Sequence, residues 1–182
     1  MIKLNALQLR KGDHQLDKSE IPRSEIYIIL DDVLDTYNIG SVFRLADAVG
    51  AKKVYLCAGS ETPPNHRIKK ASINTTEIVD WEYFPTTMEA IKDLRSKIHD
   101  IQIVAVELAE GAVPYTDYEF KLPVALIVGH ETNGVSTEVL RACDAVVELP
   151  MYGVNISLNV MVSLAIVLYE VLRQTKPNRI TK

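Results

Sequence analysis

Ile26-Tyr27-Ile28-Ile29-Leu30 is followed at once by Asp31-Asp32-Val33-Leu34-Asp35-Thr36-Tyr37-Asn38-Ile39-Gly40, and there the pattern changes. The first five residues are apolar without alternation and rich in β-branched side chains, as in a strand covered on both faces. From Ile39 onward the apolar residues Ile39, Val42, Phe43, Ala46 and Val49 recur at spacings of three and four, which places them on one stripe of a helix. A buried strand giving way to an amphipathic helix is the building unit of an α/β domain.

The same short apolar signature recurs at residues 54–57, 101–106, 124–128 and 145–149. A second helix is expected over residues 86–100, opened by a capping box of Thr86 and Glu89 and carrying Met88, Ile91, Leu94 and Ile98 on one face. Residues 77–84 read as a further strand, because Ile78 and Val79 precede alternating polar and aromatic residues. These elements predict an α/β fold with a mostly parallel sheet flanked by helices. The 182 residues suit one domain. Its expected limits are 25–173, with an N-terminal extension over 1–24 and a basic tail over 174–182.

Apolar residues make up 47% of the chain and charged residues 24%, which excludes the low-hydrophobicity class that stays disordered. Two cysteines, Cys57 and Cys143, are too few for a disulfide scaffold and read as reduced thiols. Residues 1–15 hold no continuous apolar run of the secretory type, and the most apolar stretch, 158–172, falls short of a membrane span and is interrupted by Ser163 and Glu170. That stretch reads as a buried helix, and the protein as cytoplasmic. Residues 65–76 carry Arg67, Lys69 and Lys70 without an acid, and residues 171–182 carry Arg173, Lys176, Arg179 and Lys182 without one. Together these hold +7 of a chain whose net charge is −4, leaving −11 for the rest. Such asymmetry leaves room for local phosphate contacts on an acidic protein.

In open α/β sheets ligands collect beyond the carboxyl ends of the strands, so the loops after the apolar runs carry the chemistry. In the first, Asn38 stands where a helix N-cap is expected. Arg44 lies about 160° from the centre of the apolar stripe and must face solvent, a partner chain or a ligand. The second loop reads Gly129-His130-Glu131-Thr132-Asn133-Gly134, polar residues between glycines. Its His-Glu pair lacks the second histidine of a zinc-protease motif, since residue 134 is glycine, and His14, His66 and His99 show no ligand spacing with the cysteines. No metal is expected. The third loop runs from Pro150 to Asn159, with a tight turn bracketed by Pro150 and Gly153 and a helix capped by Ser157 or Asn155. Asn159 falls inside the apolar run, where a buried amide needs a partner, whether a backbone group, a ligand or an interface.

Taken together, Asn38-x-Gly40-x-x-x-Arg44-x-Ala46-x-x-x-Gly50, Gly129-x-Glu131-x-x-Gly134, and Leu149-Pro150-Met151-x-Gly153 with Ser157-Leu158-Asn159-Val160 resemble the three motifs of the SpoU/TrmH family of SPOUT-superfamily RNA 2′-O-ribose methyltransferases. The resemblance covers residues 26–172. It implies a deep C-terminal trefoil knot, S-adenosylmethionine held in the knotted loops, and a homodimer with the active sites at its interface. By motif position it assigns Asn38, Arg44, Glu131, Ser157 and Asn159 to catalysis and ribose binding, and Gly129, Glu131, Leu149, Met151 and Leu158 to the cofactor. RNA contacts are expected at Arg67, Lys69, Lys70 and Ser72, the first 24 residues and the tail.

Two departures stand out. Met161 replaces the small residue usual after Ser157-Leu158-Asn159-Val160, and Lys70-Ala71-Ser72 continues with Ile73-Asn74-Thr75 where many relatives have a Gly-Ala pair. A separate N-terminal RNA-binding domain, found in many ribosomal-RNA members, is missing from this sequence, which favours tRNA over rRNA as substrate. The alternatives are a base-modifying SPOUT methyltransferase and a non-catalytic RNA-binding relative.

Overall fold

The computed structural model describes residues 22–176. The expected N-terminal extension up to residue 21 and the tail from residue 177 lie outside the described residues. Seven strands form one sheet: β1 (Ser24–Asp31), β2 (Ala51–Cys57), β3 (Asp80–Phe84), β4 (Gln102–Val106), β5 (Val113–Pro114), β6 (Val124–Gly129) and β7 (Ala145–Glu148). Their order is β3-β2-β1-β6-β4-β7-β5, and every pairing is parallel. The central strands are buried throughout: β6 shows no exposed residue, and β1 only one that is half-buried. That two-sided burial is why they read as continuous apolar runs.

The helices are α1 (Thr36–Val49), α2 (His66–Ser72), α3 (Thr87–Lys97), α4 (Thr137–Ala142) and α5 (Val160–Thr175). Alternation along β1 divides its side chains between two cores. Ile26, Ile28 and Leu30 pack with Ile39, Val42, Phe43 and Ala46 of α1, Ile68 of α2 and Leu164, Val167 and Leu168 of α5. Tyr27 and Ile29 pack on the other face with Ala90, Ile91 and Leu94 of α3 and Val139 of α4. Neighbouring β1 and β6 therefore send their chains to helices on opposite faces, which opens a crevice at their carboxyl ends.

Several expectations are corrected. Asn38 is not an N-cap: α1 starts earlier, and Asp35 caps it by accepting from the backbone N–H groups of Tyr37 and Asn38. The second predicted helix stops at Lys97, because Ile98 is extended. Residues 77–79 precede β3 rather than belong to it, since Thr75–Glu77 forms a 3-10 turn. Neither Asn155 nor Ser157 caps α5. Asn159 does, accepting from Met161 N–H at 3.0 Å, so its amide is exposed at a helix start rather than buried in one. Instead of a tight turn, residues 149–159 run irregularly with only a bend at Gly153 and Val154. Helix α5, expected to be buried, keeps one face exposed through Val162 and Tyr169.

Gly40 shows what the first motif requires of packing. A Cβ added there would lie 2.5 Å from Ala71 Cβ and 2.8 Å from the Ile68 carbonyl oxygen, so α1 and α2 meet backbone to backbone. Gly40→Ala should cost about 1 to 3 kcal/mol, as overpacking does in a dense core. Urea unfolding measures it; an unchanged midpoint would show that α2 shifts freely.

Candidate active site

Parallel register aligns the carboxyl ends of the strands: Asp31 pairs with Cys57 on one side and Gly129 on the other, and Val106 pairs with Val147. The loops after β1, β4, β6 and β7 consequently meet along one edge. Asp31 ties the loop after β6 and the start of α3 to the end of β1. Its buried carboxylate accepts from Thr87 Oγ1 of α3 and, at 2.9 Å, from the backbone N–H of Ser136.

Above it, Glu131 gathers the first loop. Its Oε1 accepts from Asp35 N–H and from Asn38 Nδ2, each at 3.0 Å, and its Oε2 from Leu34 N–H at 3.2 Å. The Asn38 side-chain Oδ1 in turn accepts from Asn159 Nδ2 at 3.0 Å. One chain of contacts thus joins all three sequence motifs across separations of 93 and 121 residues. Burial by itself would raise the Glu131 carboxyl, but the hydrogen bonds from Asn38 and from the backbone at Asp35, Glu131 and Leu34 outweigh it and hold the group below its ordinary value.

A cleft of about 590 Å³ opens beside this network, within the size range of small-ligand sites. Gly129, Glu131, Leu149, Met151, Ser157, Leu158 and Asn159 all line it. The two loop glycines set its wall by close approach. A Cβ on Gly129 would lie 2.2 Å from the Gly134 carbonyl carbon, and one on Gly134, whose φ is +67°, would lie 2.3 Å from Glu107 Oε2. His130 closes the loop on itself, its Nδ1 accepting from Thr132 N–H at 2.9 Å, which makes it a loop-ordering group.

Arg44 is on the exposed side of α1, as its angle predicted, and makes no hydrogen bond or ion pair among the described residues. It is outside both the network and the cleft lining. Arg67, Lys69 and Lys70 are exposed on α2, with Lys69 paired to Glu77 at 3.2 Å. Ser72 is a correction: it is fully buried and its hydroxyl donates to the Lys69 carbonyl, so it offers nothing to an RNA on this surface. Reasoning from sequence also missed Glu107, a cleft residue whose only signal was a carboxylate directly after an apolar run. Among the described residues no cluster of His, Cys, Asp and Glu could hold a metal ion, and no helix is long and apolar enough to cross a membrane.

Comparison with known proteins places this geometry. The model of the SpoU rRNA Methylase family matches residues 25–169. The tRNA (guanosine(18)-2′-O)-methyltransferase of Aquifex aeolicus (strain VF5) is 32% identical over 156 residues, which are 84% of this chain and 71% of that protein. The 23S rRNA (guanosine-2′-O-)-methyltransferase of Haemophilus influenzae is 30% identical over 173 residues, 92% of this chain and 69% of that one. Among solved structures, the AdoMet-bound rRNA methyltransferase of Sinorhizobium meliloti superposes with a TM-score of 0.77 at 30% identity, over 87% of this chain and 60% of its own. With the match running from β1 into α5 and taking in all three loops, the chain belongs to the SpoU methylase family.

Proposed function

We propose that this protein is an S-adenosylmethionine-dependent RNA 2′-O-ribose methyltransferase acting on tRNA. The observation that carries the proposal is the convergence of Asn38, Glu131 and Asn159 at one cleft. The cleft's own chemistry fits the cofactor. Apolar side chains of Leu149, Met151, Ile156 and Leu158 line the cleft, which suits an adenine, and it carries the carboxylates Glu107 and Glu131 with no Lys or Arg among the described residues, which suits a cationic sulfonium. When bound, the cofactor supplies an activated methyl group. The relatives above are named for tRNA and for rRNA, and the likeness to the Aquifex tRNA enzyme supports the tRNA reading here.

A protonated ribose hydroxyl is a poor nucleophile, so alignment carries much of the rate; positioning can supply about 7 to 11 kcal/mol. Glu131 is a poor base for that proton. Its carboxylate already accepts three N–H groups and is held ionised, which makes it an anchor for Asn38. Arg44 stays protonated outside unusual surroundings, so it binds the adjacent phosphate and stabilises the developing alkoxide. Ser157, exposed on the cleft rim, is placed to contact the ribose.

The knot and the dimer follow the same reading. Val106 and Val113 flank Val147 on its two sides, so residues 107–112 arch across the carboxyl end of β7, and the chain from Leu149 passes that arch on its way to α5. This supports a threaded C-terminus. Tyr152 and Val154 are 97% and 99% exposed, and Ile156, Val162, Tyr169 and Tyr37 are exposed too, apolar area of the kind a second copy covers. A homodimer brings Arg44 to the partner's cleft. The exposed cations of α2 supply phosphate contacts, and the protein works in the cytoplasm with its RNA.

Arg44→Ala should abolish transfer of label from S-adenosylmethionine to bulk tRNA while leaving fold and cofactor binding intact, and nucleoside analysis should find the label on ribose. Full activity of the variant, or label on a base, refutes the assignment. Val154→Asp should convert the protein to monomer in sedimentation and cut activity at least tenfold. For Glu131 the sign follows from its lowered folded value: its stabilisation is complete above about 4.5 and is lost as pH falls through that lower value. The stability gap between wild type and Glu131→Gln in urea should therefore close on acidification, and a gap constant with pH would contradict it.

A further inference from the structure

Glu107 belongs to none of the three sequence motifs, yet it is a charged member of the cleft lining. It is held on every side. Its backbone N–H donates to Val147 O at 3.0 Å, its Oε1 accepts from Leu108 N–H at 2.9 Å, and its Oε2 accepts from Val135 N–H at 2.8 Å. Gly134 leaves the space into which that second oxygen fits. The carboxylate is thereby pinned between the arch after β4 and the loop after β6, both of which wall the cleft.

Two backbone N–H groups do not require a full negative charge; a neutral amide or hydroxyl accepts hydrogen bonds as well. Glu107 has no ion-pair partner among the described residues. Each oxygen has accepted one N–H and keeps a further lone pair, so a rigid carboxylate offers two adjacent acceptor sites to whatever enters. Glu131, the other carboxylate lining the cleft, is already engaged by three donors and cannot play this part. The chemical partner of two fixed, adjacent carboxylate acceptors is a pair of vicinal hydroxyls, the pairing by which an acidic residue recognises the ribose of a bound nucleotide.

We infer that Glu107 binds the 2′- and 3′-hydroxyls of the cofactor's adenosine ribose, and so selects and orients the nucleoside half of the cofactor. The inference rests on the cleft being the cofactor site. A bound cation could instead use the same carboxylate through its α-ammonium group, and the test separates the two.

Calorimetric titration of the full-length protein with S-adenosylhomocysteine and with 5′-methylthioadenosine, which keeps the ribose hydroxyls but has no amino-acid part, decides the matter. Glu107→Gln and Glu107→Ala should weaken both ligands by about ten- to hundredfold, the scale of hydrogen bonds to a charged group. The 2′,3′-dideoxy form of 5′-methylthioadenosine should bind wild type and variants alike, a coupling that mere loosening of the arch would not produce. Equal binding of 5′-methylthioadenosine by wild type and variants overturns the inference, whatever happens to S-adenosylhomocysteine. An equal loss for the dideoxy compound also overturns it. If wild type binds neither natural ligand, the functional reading of the cleft falls, and this inference with it.

Discussion

A single carboxylate holds the ends of three loops together. Glu131 accepts from the backbone at Leu34 and Asp35 and from the Asn38 amide, and Asn38 passes the link to Asn159. The donors at 34 and 35 lie at the entrance to α1, where unpaired N–H groups and the helix dipole favour negative charge. Asp35 satisfies the first turn from within, and Glu131 secures the segment leading into it from the neighbouring strand. Remove that carboxylate and the first loop loses three hydrogen bonds to the second, leaving the Asp31–Ser136 contact; the Asn38–Asn159 pair persists but loses its anchor.

Close approach of backbone is the second requirement, and it explains the glycines better than conformational freedom does. Gly40 and Gly129 are there because a Cβ would collide with Ala71 and with Gly134. Gly134 answers both demands, with a positive φ and a carboxylate pressed against it. The motif spacings thus record contacts between segments far apart in the chain.

This also marks what a sequence can and cannot disclose. Residues 26–30 and 124–128 announced themselves as strands because burial on both faces leaves no polar residue to interrupt them. The stripe from Ile39 to Val49 announced α1 for the same reason on one face. Helix starts were less legible. Asp35, Asn38, Asn155, Ser157 and Asn159 are all competent caps by residue type, and only the positions of the packed helices decide that Asp35 and Asn159 serve. Asn38 looked like a cap and became the middle of a tertiary network. Ser72 looked like a phosphate ligand beside two lysines, but it sits at the end of a seven-residue helix that turns it inward. The two-residue β5 carries no periodicity at all and exists because β7 offers it an edge. Glu107 stayed silent because its meaning depends on Gly134, twenty-seven residues later.

Charge is divided in space as well as along the chain. Among the described residues the cleft is lined by two carboxylates and no Lys or Arg, whereas Arg67, Lys69 and Lys70 project from α2, a helix joined to α1 through Gly40. Between exposed charges more than a Debye length of about 8 Å apart, physiological salt removes most of the interaction, while groups sharing a cleft still feel each other. The net charge of −4 says nothing about this division. What matters is that, among the described residues, Lys69 alone of the three α2 cations has an ion pair, with Glu77, so that the charges of Arg67 and Lys70 stay unpaired on that surface while the two carboxylates line the cleft.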